Sequence, residues 1–167
     1  MPNTYTQLCV HVVFTVQNRL SLLSPGWKEE VYQYITGIVS HRGQKLLAIN
    51  GPGDHVHVAL GVKPTIVLSD LARDIKAGSS WLINERGWVR GTFRWQEGFG
   101  AFSFGQRDLD KVVRYIMGQE EHHRRKTFRE EYIGLLKKFA VEYDERYLFS
   151  WVDAVSEEQQ APTGLSR

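Results

Sequence analysis

The sequence is poor in several things, and each shortage removes a class of function. Cys9 is the only cysteine in 167 residues. A disulfide framework and a cysteine-built zinc site are therefore excluded, and a reducing compartment is expected. No apolar run approaches the roughly 20 residues that cross a bilayer. The opening Met1-Pro2-Asn3-Thr4-Tyr5-Thr6-Gln7 has no basic stretch of the signal-peptide kind. The expectation is a cytoplasmic protein with no membrane partner. Neither GxxxxGK[ST] nor a strand-coupled GxGxxG occurs, so no nucleotide cofactor is expected. Internal repeats are also missing. What remains is ordinary for one globular domain: 42% hydrophobic, 24% charged and 12% aromatic residues, enough for one core and too apolar for general disorder. The net charge of +2 conceals an asymmetry. Residues 1–138 carry 19 Lys+Arg against 13 Asp+Glu, and residues 139–167 carry 2 against 6. A basic body permits a polyanionic partner without demanding one.

Along the chain, the β-branched run from Leu8 to Val16 predicts a buried strand. Ser24-Pro25 ahead of Trp27 predicts a capped helix start with Pro25 in the first turn. Val31, Ile35, Ile38 and Val39 continue its apolar face until Gly43 stops it near His41. Lys45–Asn50 and His55–Val62 predict a hairpin around Gly51-Pro52-Gly53-Asp54. Asp70–Arg86 is a helix by the spacing of Leu71, Ile75 and Leu82. Thr92–Gln96 and Phe99–Phe104 predict two short strands, and Asp108–Gln119 and 121–139 predict two helices, the first capped near Gln106 or Asp108. The order β-α-β-β-α-β, then a further strand and two helices, predicts an α+β, ferredoxin-like (split βαβ) antiparallel sheet with helices on one face, plus C-terminal helices that carry Tyr115. Residues 1–153 read as a single domain and 154–167 as a disordered acidic and polar tail.

Two pairs of residues stand out for chemistry. His55-Val56-His57 lies in a predicted strand, where residues i and i+2 share a face. Both imidazoles can then hold one metal ion, although two surface or core-edge histidines would look the same. Tyr115 and Gln119 are i and i+4 on a predicted helix, on one face. They read as a nucleophile beside a ligand, or as an amphipathic helix with a half-buried tyrosine. The apolar positions Leu109, Val112, Val113 and Ile116 leave Lys111, Tyr115, Gln119 and His122 as a partly separate polar stripe. Lys76 suits a DNA phosphate or plain solvent. His122-His123-Arg124-Arg125-Lys126 suits a phosphate-contact strip or a solvated face. Trp95, Phe99, Phe102 and Phe104 suit base stacking, core or a dimer interface. Gly105 is a hinge or an ordinary turn glycine, and Cys9 a buried core residue.

With these residues in this order, the chain resembles the single-tyrosine HUH transposases of the insertion-sequence 200/605 class. The resemblance runs from about Tyr5 to Trp151. It rests on Asp54-His55-Val56-His57-Val58, on Leu71 to Lys76 with Ser79-Ser80-Trp81, on Trp95 to Ser103 and on Val113 to His123. It implies a homodimeric DNA transposase that cleaves and rejoins single-stranded DNA at element ends and recognises subterminal DNA hairpins. Tyr115 would be the catalytic nucleophile, joined to the 5′ side of the cut. His55, His57 and Gln119 would hold a divalent metal, Mg2+ or Mn2+. The tyrosine helix can then sit in the partner subunit's active site. Lys76, Arg124, Arg125 and Lys126 are the expected DNA-binding residues.

Elementary chemistry agrees with this assignment. A tyrosine with an ordinary pKa near 10 is about one part in a thousand phenolate at pH 7, so attack needs help. A metal on the phosphate oxygens polarises and orients the phosphodiester. Two imidazoles and one amide leave the charge of the ion uncompensated, which suits a phosphodiester and predicts weak affinity without DNA. The same ligands would accept other divalent metals in vitro. Exchanging one phosphodiester for another needs no ATP. Two other readings compete: a catalytically silent nucleic-acid-binding regulator on the same fold, and a metal-dependent phosphodiesterase that uses water, with Tyr115 structural.

Overall fold

Alternation of apolar residues dictates the architecture. In the computed structural model, which describes residues 3–20 and 22–148, strands β1 (Leu8–Thr15), β2 (Lys45–Asn50), β3 (His55–Val62) and β4 (Gly100–Phe104) form one sheet in the order β2-β3-β1-β4. All neighbouring pairs are antiparallel. Helix α1 (Lys28–His41) joins β1 to β2, and α2 (Leu68–Arg86) joins β3 to β4. This is the ferredoxin-like α+β plan. Contacts divide the chain into two units, one up to Arg125 and one from Lys126. The proposed tail, 154–167, lies outside the described residues. No helix among the described residues is long and apolar enough to cross a membrane.

The register sorts the strand residues onto two faces. Val10, Val12 and Phe14 stand opposite Leu60, Val58 and Val56. Val31, Ile35 and Val39 of α1 and Leu71, Ile75 and Ile83 of α2 close over that face as one core. His11, Val13 and Thr15 stand opposite Ala59, His57 and His55 on the other. There, helix α3 (Leu109–Met117) lays Ile116 against Ala48 and Ala59. Gly43, at φ 74°, ends α1 in the left-handed conformation that glycine adopts without penalty.

Four expectations need correction. Helix α1 starts at Lys28, because Trp27 (φ −138°, ψ −10°) is not helical. Pro25 instead sits in a turn in which the Ser24 carbonyl accepts from the amides of Trp27 and Lys28. Residues 92–96 do not form a strand. Asn84 takes the backbone of Phe93, accepting from its amide at 2.7 Å and donating to its carbonyl at 3.0 Å, a side-chain bond that competes with a ladder. Only an isolated bridge of Trp95 to Val16 remains. The helix expected to reach Gln119 stops at Met117, and Gly118 separates it from a short helix α4 (Gln119–His123). The helix expected over 121–139 is also interrupted. In the second unit, α5 spans Phe128–Lys138, and its cap is Thr127, whose hydroxyl accepts from the Glu130 amide. That Thr-x-x-Glu cap marks a new helix start rather than the continuation of an earlier one. A further short helix, α6, spans Glu145–Leu148.

Candidate active site

The site begins at a turn with no room for a side chain. A Cβ on Gly51 would collide with the backbone carbonyl of His55. The Gly51 carbonyl is gripped from α1, accepting from Lys28 Nζ at 3.2 Å and from the Tyr32 hydroxyl at 3.3 Å. Burial raises the Tyr32 phenol above its ordinary pKa. After the turn, the Val16 amide donates to Asp54 and the Leu23 amide to Gly53, which fixes where β3 starts.

His55 and His57 are fully buried, as is Val56, which faces the opposite core. The two imidazole centroids are 5.0 Å apart. Each ring is anchored through Nδ1. His55 donates to Asp54 Oδ1 at 2.7 Å. His57 Nδ1 lies 2.8 Å from Nε2 of His11, a buried residue of β1. Anchoring one ring nitrogen to a neighbour orients the other for a metal. The paired imidazoles and their supports thus fit a divalent cation in donor type and in placement.

Tyr115 enters from α3. Its half-buried ring stands 5.7 Å from that of His57, nearly perpendicular at 89°, and 6.1 Å from His11. It therefore lies beside the histidine of its own chain. Helix α3 is held by Ile116 and by Asn50, whose Nδ2 donates to the carbonyls of Ile116 and Met117, each at 3.1 Å. Asn50 is also the β2 partner of His57. Gln119 is fully buried, with Nε2 3.4 Å from the Tyr115 carbonyl. The break at Gly118 also brings α4 to the site. The His122 ring lies 5.1 Å from that of Tyr115, and the His123 ring 4.6 Å from that of His55. Glu120, between these and Gln119, pairs with Lys28 at 3.0 Å, and this bond holds its carboxyl below the usual range.

The remaining candidates make other contacts. Lys76 Nζ donates to the carbonyls of Gln96 at 2.6 Å and Gly98 at 2.9 Å. Burial lowers its pKa, and Glu97 partly opposes that. Arg124 and Arg125 are exposed and pair with Glu121 at 3.3 and 3.9 Å. Lys126 begins the second unit. Trp95 and Phe102 are both buried, but on different faces: the Trp95 indole belongs to the core and donates to Ser79 Oγ at 2.9 Å, whereas Phe102 stands opposite His11 with the two ring centroids 6.3 Å apart. Phe104 packs beside the Ile116 cluster, while Phe99 is exposed. Gly105 is extended (φ −86°, ψ 165°) and has no need to be glycine. Cys9 is buried and accepts from Gln7.

Known proteins resemble the chain at the level of family and fold. Residues 4–119 match a family model described as "Transposase IS200 like". No curated protein sequence matches the chain. Among solved structures, a protein of Deinococcus radiodurans R1 assigned as a transposase is 19% identical, with a TM-score of 0.56 over 70% of this chain and 94% of that one. A REP-associated tyrosine transposase bound to a REP hairpin is 18% identical, with a TM-score of 0.56 over 72% of each chain. At such identities the likeness shows the fold.

Proposed function

Since the chain belongs to the IS200-like transposase family, we propose that it cleaves and rejoins single-stranded DNA through Tyr115, with a divalent metal held by His55, His57 and Gln119. The observation that carries this reading is the Tyr115 ring standing 5.7 Å from that of a buried, anchored His57. A bound divalent metal supplies Lewis-acid polarisation of the scissile phosphate. The chain's own residues do the rest. Asp54 and His11 hold the two imidazoles in position, and Asn50 and Ile116 hold the tyrosine helix against the same sheet face. Tyr115 Oη attacks phosphorus as its proton leaves, and the departing 3′ oxygen takes up a proton in exchange. The oxygen–phosphorus bond to the 3′ side breaks, giving a 5′-phosphotyrosine and a free 3′-OH. Rejoining is the reverse displacement by a 3′-OH, and it consumes no nucleotide.

The substrate class is single-stranded DNA flanked by hairpins, and the functional form is a homodimer in which the tyrosine helix can serve the partner subunit's histidine pair as well as its own. Arg124, Arg125 and Lys126, all exposed, are the proposed phosphate contacts in preference to Lys76, whose ammonium is engaged by two backbone carbonyls. Such contacts weaken binding as salt rises.

A denaturing gel tests the proposal. The wild-type chain, a hairpin-bearing single strand and Mn2+ should yield a covalent protein–DNA band. Tyr115→Phe removes only the phenolic oxygen. It should abolish that band while hairpin affinity, read by gel shift, changes less than about twofold. Cleaved DNA without an adduct would establish a hydrolase instead. Binding with neither product would establish a silent DNA-binding regulator.

A further inference from the structure

We propose that His123 is a further ligand of the metal, so that the centre is built on three imidazoles, those of His55, His57 and His123. This rests on the reading of His55 and His57 as the metal-binding pair. Ligand nitrogens of the three residues all lie within 4.8 Å of one another. Two nitrogens bound at about 2.1 Å to one ion sit about 3–4 Å apart, so small side-chain rotations close the arrangement. The His123 ring already stands 4.6 Å from that of His55, at 69°.

The local fold explains why His123 arrives there. An unbroken helix from α3 would set it eight residues beyond Tyr115, two turns further along the axis. Gly118 ends α3 instead, at φ −90° and ψ 14°, and α4 restarts with Gln119. On α4, Gln119 and His123 are i and i+4 and share a face. Two bonds of Lys28 hold that helix to the turn preceding His55: one to Glu120 at 3.0 Å and one to the Gly51 carbonyl at 3.2 Å. The preceding residue, His122, reaches Tyr115 instead.

An imidazole is a stronger ligand than a neutral carboxamide, and it too adds no negative charge. The ion would keep its attraction for a phosphodiester and bind more tightly in the absence of DNA. Three imidazoles also favour Mn2+, Co2+ and Zn2+ over Mg2+, which prefers oxygen.

Metal binding by the full chain, freed of metal by chelation and without DNA, tests this apart from catalysis. Co2+ titration followed by visible absorption gives the affinity. Pulsed electron paramagnetic resonance of the Mn2+ form counts coordinated imidazoles. His123→Ala should weaken Co2+ at least tenfold and reduce the imidazole count from three to two, with an unchanged melting temperature. If that variant melts early, His123→Gln, which keeps a polar side chain of similar reach, should give the same loss of one imidazole. An affinity within twofold of wild type, or two imidazoles in both proteins, overturns the role of His123. His57→Ala separates the two failures. If it abolishes binding while His123→Ala does not, the histidine pair stands and His123 falls. If His57→Ala also leaves binding unchanged, the metal reading falls and takes the His123 proposal with it.

Discussion

The two faces of the sheet are built from the same strands and follow opposite rules. On the side of α1 and α2, Val12, Val56 and Val58 meet Ile35, Leu71 and Ile75, all at 1% exposure or less. On the side of α3, the corresponding β1 and β3 positions include His11, His55 and His57, also buried. The apolar packing there centres on Ala48, Ala59 and Ile116. Burying polar rings is tolerable only when they are hydrogen-bonded, and Asp54 and His11 meet that condition. Because strand residues alternate, one face can stabilise while the other carries reactive groups, and each can be changed with little effect on its opposite.

The largest expected effects test that separation directly. Ile75→Ala removes fully buried methyl and methylene groups and should cost about 2–5 kcal/mol, read from urea unfolding, while folded molecules still form adduct at low temperature. His57→Ala should do the reverse: adduct disappears, and stability falls by less than the Ile75 change. If His57→Ala proves the more destabilising of the two, the face we assign to chemistry is also the main source of stability.

Gly51→Ala should damage both faces at once. The added Cβ would meet the carbonyl of His55, a backbone atom that cannot swing aside, in the turn that α1 grips through Lys28 and Tyr32. A stability loss of about 1–3 kcal/mol should accompany a drop in cleavage larger than that loss explains. Wild-type cleavage by a folded Gly51→Ala chain would show that the entry angle of β3 is not critical.

His11 tests the support rather than the ligands. His11→Leu should lower metal affinity by about ten- to a hundredfold. His11→Gln places an amide where Nε2 lies, 2.8 Å from His57 Nδ1, and should restore most of it. Equal loss in both variants, measured by Co2+ titration, would mean that the ring packs against its neighbours rather than orienting His57.

These tests fall on residues of unequal legibility. The bounds of β2 and β3 could be read from sequence because turn residues at Gly51-Pro52-Gly53-Asp54 separate two largely apolar stretches. The histidine pair was visible because period-two spacing is local. His11 was not: a single histidine in an apolar strand has no partner in sequence, and only the register places it diagonally across from His57. Asn50 was hidden for the same reason, since its partners are 66 and 67 residues away. His123 sat inside a run that reads as charge, and the helix break at Gly118 changes which face it shares. The spacing Gln119 to His123 was the signal available. The 92–96 segment misled because alternation suggested a strand, whereas Asn84 claims the backbone of Phe93.

The smallest expected effect concerns how firmly the tyrosine helix is tied to the sheet. Asn50 donates to the carbonyls of Ile116 and Met117, groups that a helix end leaves without partners in its own helix. Asn50→Ala removes both bonds at a half-exposed site where water replaces part of what is lost, so the stability cost should be about 1 kcal/mol. Metal affinity should stay within twofold, because the imidazoles and their anchors are untouched. The rate of adduct formation should nevertheless fall severalfold, since a looser α3 spends less time with Tyr115 beside His57. Single-turnover cleavage at saturating Mn2+ reads this rate without interference from metal occupancy. Asn50→Asp supplies the control: it keeps the shape but replaces the donor with a carboxylate facing two carbonyl oxygens, and it should be slower than Asn50→Ala. If both variants cleave at the wild-type rate, Ile116 and the apolar residues around it are sufficient to hold the helix in place.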